Sequence, residues 1–290
     1  KLPRPAPHTR NAAAQCQTWM QQLRDMSGPK NHATIERTFV SAYVPLCREI
    51  VAGGAPAGAA EVAAAWAEGF AQSYSSAFKR MRSNRPRPRM VWDVMELALR
   101  WTTQFRTRSH QLLMVDGMRF DLGGSVNQEL SQRLGARARC LDHALMWSGL
   151  PSNSPSQLKM FAPAPTRPAA LELWPGRGVG GEPSLPGIER LEIGSRPLYR
   201  VSGLEDDLKN PGEQASERLE RLAGALATRV APWIQSQAVG TLVVLFGDHG
   251  FHWQTTDTGT TAAQCGGAMP EQVLVQASAW LVNASRPNLH

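Results

Sequence analysis

The stretch that decides the fold is Thr241-Leu-Val-Val-Leu-Phe-Gly-Asp-His-Gly250. Leu242 to Phe246 are all apolar, include two β-branched valines, and end at Gly247. A short continuous apolar run closed by glycine predicts a strand buried on both faces, as in the middle of a parallel sheet. Asp248 and His249 follow just past its carboxyl end, the edge where open α/β sheets bind ligands. Outward from this stretch, Leu112-Leu-Met-Val115 has the same form and is followed at once by Asp116-Gly117-Met118-Arg119. Two such strands in one sheet bring Asp116, Asp248 and His249 to one edge. Carboxylate oxygens with an imidazole nitrogen suit a divalent cation such as zinc or manganese. The competing reading makes both aspartates caps of the helices or turns that follow. Recurrence of the pattern at two strand ends favours the metal.

The chain has 290 residues, enough for one large domain or a domain with an appendage. No stretch approaches the ~20 apolar residues of a membrane helix, so a cytoplasmic protein is expected. The first residue is Lys1 rather than Met, as in a piece of something longer, and residues 1–10 read as a disordered or extended, Pro-rich lead without a signal peptide. Net charge is +7, mostly from arginine, which draws phosphate-containing partners or simply solvates the surface. The run from Lys79 to Arg89 holds six cations and no acid. It fits contact with nucleic acid or an acidic partner, and equally a solvated linker around Pro86 and Pro88. No aromatic residue interleaves it, which argues against a base-stacking platform. Cys16, Cys47, Cys140 and Cys265 are too far apart for a zinc ribbon or a disulfide framework.

Helical periodicity dominates residues 11–108. Trp19, Met20 and Leu23 recur in the first helix, and a second over 33–51 is expected to break or kink at Pro45. Val62, Trp66, Phe70, Tyr74 and Phe78 recur every four residues over 59–81, a stripe expected to be core rather than a cofactor site. The period changes at His110. Strands are expected at 111–115, 137–147, 188–193, 198–201 and 241–246, with helices at 125–134, 155–161 and 213–237, the last kinked at Pro232. Residues 254–267 read as a polar loop, and 273–282 as a closing strand. His143 falls within a strand and reads as a core histidine. The expected fold is an α/β sheet with flanking helices over 109–290, preceded by an all-helical region over 1–108.

In their order, three motifs resemble those of the alkaline phosphatase superfamily, and within it the PglZ-like domains of bacterial phage-defence systems. Leu113-Met-Val-Asp116-Gly-Met-Arg119-Phe-Asp121 resembles the superfamily's first metal-binding strand end. Leu150-Pro-Ser152-Asn-Ser154 is similar to its nucleophile turn, and Phe246-Gly-Asp248-His249-Gly250 to its Asp-His-Gly motif. The tail Gly266-Gly-Ala-Met-Pro270-Glu-Gln-Val-Leu-Val275 resembles the closing segment of PglZ-like domains. The similarity covers residues 110–283.

The resemblance implies an alkaline-phosphatase-like sheet and a metal-dependent phosphoesterase or phosphodiesterase acting on a phosphate ester, nucleic acid among the candidates. It implies Asp116, Asp248 and His249 as metal ligands, Ser154 as nucleophile and Ser152 as its rival. Both serines also fit a plain role in turn formation and helix capping. The superfamily's second metal takes an Asp with a His about four residues on, and another late His. In Gly203-Leu-Glu-Asp206-Asp207-Leu-Lys-Asn-Pro211 no His follows. Asp207 and His252 are the remaining candidates there, and His290 is terminal, so one ion or none is expected. The alternative is a degenerate PglZ-like domain working as an interaction module, with protein partners docked on the helical segment.

Overall fold

Alternation within the two apolar runs sets the architecture. Leu113, Val115, Val243 and Leu245 enter one core, and Leu112, Met114, Leu242, Val244 and Phe246 another. Each strand therefore has two buried faces, because successive side chains point to opposite sides of a sheet. The computed structural model describes residues 7–26, 28, 30–83, 86–161, 187–193, 196–204, 215–255 and 261–283. The chain forms two compact units: residues 1–88 with 214–216 and 268–270, and the remainder of 89–290.

The first unit carries helices α1 (Pro7–Arg24), α2 (His32–Thr38), α3 (Val44–Val51) and α4 (Ala59–Ser83). Helix α1 begins at Pro7, so part of the expected lead is helical. Pro tolerates a first helical turn, where an N–H would lack a partner. Between α2 and α3, Phe39–Tyr43 forms a π-helical turn, and the Val44 N–H reaches back to the Phe39 carbonyl. The wider turn lies directly before Pro45, which falls in the first turn of α3. Trp66, Phe70, Tyr74 and Phe78 form a ladder with centroid spacings of 5.7–5.9 Å, and Tyr43 joins Trp66 at 4.7 Å.

The second unit begins with a 3-10 turn and α5 (Val94–Gln104), whose Val94, Leu97, Ala98 and Trp101 share a core with Leu112 and Met114. Then come β1 (Ser109–Val115), α6 (Phe120–Leu134), β2 (Ala138–Trp147), α7 (Ser154–Phe161), β3 (Ile188–Ile193) and β4 (Arg196–Val201). They are followed by α8 (Ala215–Ser236), β5 (Thr241–Gly247), β6 (His252–Thr255), β7 (Thr261–Gln264), α9 (Pro270–Val273) and β8 (Leu274–Val282). Six strands form one mixed sheet in the order β2-β8-β5-β1-β4-β3. Leucines and valines of α6 and α8 cover one face; α5 and Leu158 of α7 cover the other.

Strand β1 is parallel to both β5 and β4, whereas β8 runs antiparallel to β5 and β2. Strand β5 thus has only one parallel neighbour. The chain turns back into β8 on the side where β5 ended, with no helix longer than Pro270–Val273 among the described residues between them, and such a return makes an antiparallel pair. β3 and β4 fall on the two strands expected at 188–193 and 198–201 and pair antiparallel. The expected loop over 254–267 instead contributes a two-stranded ribbon, with Trp253 opposite Ala263. Helix α8 continues through Pro232 to Ser236. His143 is exposed on β2, an edge strand, and is not the core histidine its position suggested. No helix among the described residues is long and apolar enough to cross a membrane.

Candidate metal centre

The parallel register brings the carboxyl ends of β1 and β5 level: Val115 lies opposite Gly247, so Asp116 and Asp248 leave the sheet side by side. Gly117 follows at φ +74°, a left-handed turn that glycine enters without steric cost. Its N–H donates to Asp248 Oδ1 (3.1 Å), as does the His249 N–H (2.9 Å). The Asp116 N–H donates to the Val201 carbonyl at the end of β4 (3.0 Å). At Gly250 a Cβ would collide with the Glu271 carbonyl and with Arg119, so the turn closing the motif needs glycine. Arg119 secures the same turn. It forms a bidentate pair with Asp121 (2.6 and 3.0 Å) and lies over the Phe251 ring at 5.2 Å.

Ser154 opens α7 and carries its hydroxyl to this edge. Asn153 caps the helix by accepting from the Ser156 N–H (3.0 Å). Gln157, fully buried, fixes the preceding turn. Its Nε2 donates to the Gly149 and Pro151 carbonyls (both 3.0 Å), and its Oε1 accepts from the Gly149 N–H (2.8 Å). Ser148 donates to the Asp248 carbonyl (2.5 Å), tying this turn to β5.

These elements converge on one point. Ser154 Oγ contacts Asp116 Oδ1 and Asp248 Oδ2 and lies 3.2 Å from His249 Nε2. His249 Nε2 is 3.4 Å from Asp116 Oδ1 and 3.8 Å from Asp248 Oδ2. Asp116, Asp248 and His249 are buried and are the one group of three or more metal-type ligands among the described residues. The cluster could hold a metal ion. Ligands about 2.0–2.2 Å from a tetrahedral ion stand roughly 3.3–3.6 Å apart; the 3.4 Å separation of His249 from Asp116 falls in that range, and the 3.8 Å separation from Asp248 lies just beyond it. A hydroxyl has one hydrogen and cannot satisfy two carboxylates at once, whereas a cation at their meeting point would. His249 Nδ1 lies 2.9 Å from the Gly250 carbonyl. A carbonyl only accepts, so Nδ1 carries the hydrogen and Nε2 turns its lone pair to the cluster when the ring is neutral.

Without an ion the cluster balances its charge in another way. Arg200 of β4 pairs with Asp116 Oδ2. Burial pushes the Asp116 carboxyl up, but hydrogen bonds from His249, Ser154 and Arg200 together bring it down to about 2. Burial lifts Asp248 above the usual carboxylate range, aided by the Asp116 charge and opposed by His249. Burial lowers His249, yet the Asp248 charge and the bond to Asp116 outweigh it and push the imidazole up to about 9. Two carboxylates are thus met by a guanidinium and an imidazolium.

The remaining expected site residues lie elsewhere. Ser152 is buried and donates to the Gly267 carbonyl (2.6 Å), while its own carbonyl accepts from the Gly266 N–H (2.9 Å). It anchors the turn, and Ser154 is the serine brought to the cluster. His252 stands 3.6 Å from Glu271 on β6, outside the ligand group. Asp207 lies outside the described residues. Sequence reasoning missed Arg200, Gln157 and the Arg119–Asp121 pair. Arg200 carried a legible signal: a cation inside the apolar run Leu198-Tyr-Arg-Val201 needs a buried partner. No protein-family model matches the sequence, and a search of curated proteins finds no match to it.

Proposed function

We propose that this chain is a metal-dependent phosphoric ester hydrolase built on an alkaline-phosphatase-like plan, with Ser154 as nucleophile. One observation carries the reading: the Ser154 hydroxyl meets Asp116, Asp248 and His249 at the opening of a helix and at the ends of two central strands. Asp116, Asp248 and His249 would hold one divalent ion, zinc or manganese by donor chemistry. Such an ion supplies a lowered pKa to a nearby hydroxyl and polarises a phosphoryl oxygen. The chain's own residues do the rest. Gln157 and Ser148 fix the turn that aims Ser154. The Gly250 carbonyl sets the His249 tautomer. The N-terminus of α7 favours negative charge developing on the serine oxygen. Ser154, its proton released to solvent, forms a bond to phosphorus as the ester P–O bond breaks and the leaving oxygen takes a proton from water; a water then cleaves the seryl phosphate and restores the hydroxyl.

A second reading has one observation of its own. Arg200 and His249 already neutralise both carboxylates, so the cluster can stand as a structural ion network in an interaction module. Metal content separates the two. Purified protein given zinc or manganese should retain one ion per chain and hydrolyse a generic phosphate ester, and Asp248→Asn with His249→Ala should lose both. No ion and no hydrolysis would leave the interaction module.

A further inference from the structure

We propose that Arg119 is the positioning residue of His249: through Phe251 it holds the Gly250 carbonyl on the ring's Nδ1, which keeps Nε2 turned to Asp116 and Asp248. The consequence for ion binding rests on the hydrolase reading above. Asp116 and His249 lie on two turns, 116–119 and 248–251, and glycines nest one turn in the other. A Cβ on Gly247 would stand 2.2 Å from the Met118 carbonyl oxygen, and one on Gly250 would stand 2.7 Å from the Arg119 Cβ. The residues on either side of Asp248 and His249 thus lie against consecutive residues of the first turn. A bridge between Arg119 and Val275 ties that turn to the start of β8. The Gly250 N–H donates to the Gln272 carbonyl (2.9 Å).

The Arg119 side chain completes what the backbone begins. Its Nε and Nη2 donate to the two Asp121 oxygens, and its Nη1 reaches the Phe251 carbonyl at 3.5 Å. The Phe251 ring, buried, meets Trp253 edge to face with centroids 4.9 Å apart. The Trp253 ring in turn carries the buried Arg218 guanidinium of α8 at 4.9 Å. Phe251 is therefore held at its carbonyl by Arg119 and at its ring by a column that ends on a helix. With Phe251 held, the preceding carbonyl, that of Gly250, stays 2.9 Å from His249 Nδ1.

Stability alone does not call for a charged pair here. The Arg119 and Asp121 side chains are 9% and 14% exposed. A buried ion pair adds little over apolar residues of the same volume, because desolvation offsets the attraction. What the guanidinium supplies is direction. Two bonds to one carboxylate fix its plane, and the plane aims the remaining nitrogen at Phe251. Lysine brings the charge without the plane. Fixing the second nitrogen of a ligating imidazole is worth about 10–100-fold in metal affinity.

The test reads tautomer and affinity apart from stability. Arg119→Met combined with Asp121→Asn removes both charges and leaves the Leu122 N–H an acceptor in place of Asp121 Oδ1. The double variant should melt near the wild-type temperature, yet bind manganese about 10–100-fold more weakly in isothermal titration. NMR of histidine labelled at the ring nitrogens, on ion-free protein above the pH of about 9 where the His249 ring becomes neutral, gives the tautomer. His249→Gln identifies its signal among the seven histidines. Wild type should show one Nδ1–H form and the double variant a mixture, with Arg119→Lys between them in both readouts. A double variant with wild-type Kd, or with a single Nδ1–H form, would overturn the assignment and leave the hydrolase reading standing. If wild type binds no ion, the hydrolase reading falls, and the tautomer alone decides the role of Arg119. If the double variant does not fold, Arg119→Lys decides by the same readouts, and wild-type values overturn the assignment.

Discussion

Ion binding at this cluster should be strongly pH dependent, with the size set by one proton on His249. The Asp248 charge, the Asp116 bond and the Gly250 carbonyl together outweigh burial and hold the imidazole at about 9 without an ion. A metal ligand must be neutral at Nε2, so the ion displaces this proton. At pH 7 only about one ring in 100 is neutral, so apparent affinity should be about 100-fold below its value above pH 9, or about 2.7 kcal/mol. Binding should strengthen about tenfold per pH unit up to pH ~9 and then level off. Isothermal titration with manganese, in buffers of different ionisation enthalpy, gives both numbers: the slope of log Kd against pH, and about one proton released per ion at pH 7. His249→Ala should flatten the slope. A Kd constant between pH 6.5 and 8.5, or an unchanged slope in His249→Ala, would refute the assignment of His249 as a ligand.

Two further outcomes follow from the same geometry. Ser154→Ala should reduce phosphodiester hydrolysis by about 10³-fold or more while the protein still binds its ion; Ser152→Ala should cost about 1–3 kcal/mol in urea denaturation for the orphaned Gly267 carbonyl, with kcat within a few-fold. Gly250→Ala should destabilise by about 1–3 kcal/mol or more, because the new methyl meets the Glu271 carbonyl and the Arg119 backbone; an unchanged urea midpoint would show that the turn relaxes freely.

Much of this fold is legible in the chain because its central strands are buried on both sides. Leu112–Val115 and Leu242–Phe246 tolerate no polar residue, so their limits and the polar residues beyond them stand out. The pair Asp116 and Asp248–His249 is legible for the same reason. Local patterning does not carry partner choice. Nothing in Leu274–Val282 says that it inserts antiparallel between β5 and β2, since that depends on where the preceding turn leaves the chain. Short ribbons such as His252–Thr255 with Thr261–Gln264 are invisible because Thr, Ala and Gln fit loop or strand equally. Ser152 and Ser154 could not be ranked from sequence. The choice turns on which hydroxyl Asn153 and Gln157 swing toward the sheet, a matter of cap geometry.

The same proton that weakens ion binding stabilises the ion-free fold, and the two effects run in opposite directions. His249 is held above its unfolded value of about 6.5, so its contribution is fully present below that pH and is lost as pH rises through about 9. Asp116 is held below its own unfolded value, so its contribution is present above about pH 4 and is lost as pH falls toward 2. Between these limits the ion-free cluster is self-neutralising, which distinguishes it from small metal-nucleated domains that unfold when chelated. A chelator should therefore leave the melting temperature almost unchanged at pH 6, where the His249 imidazolium and the Arg200 guanidinium already balance the two carboxylates. The same chelator should lower it at pH 9, where the proton is leaving and only an ion can replace its charge. If chelation instead destabilises the protein equally at both values, His249 and the ion do not compete for one place, and the ion sits elsewhere.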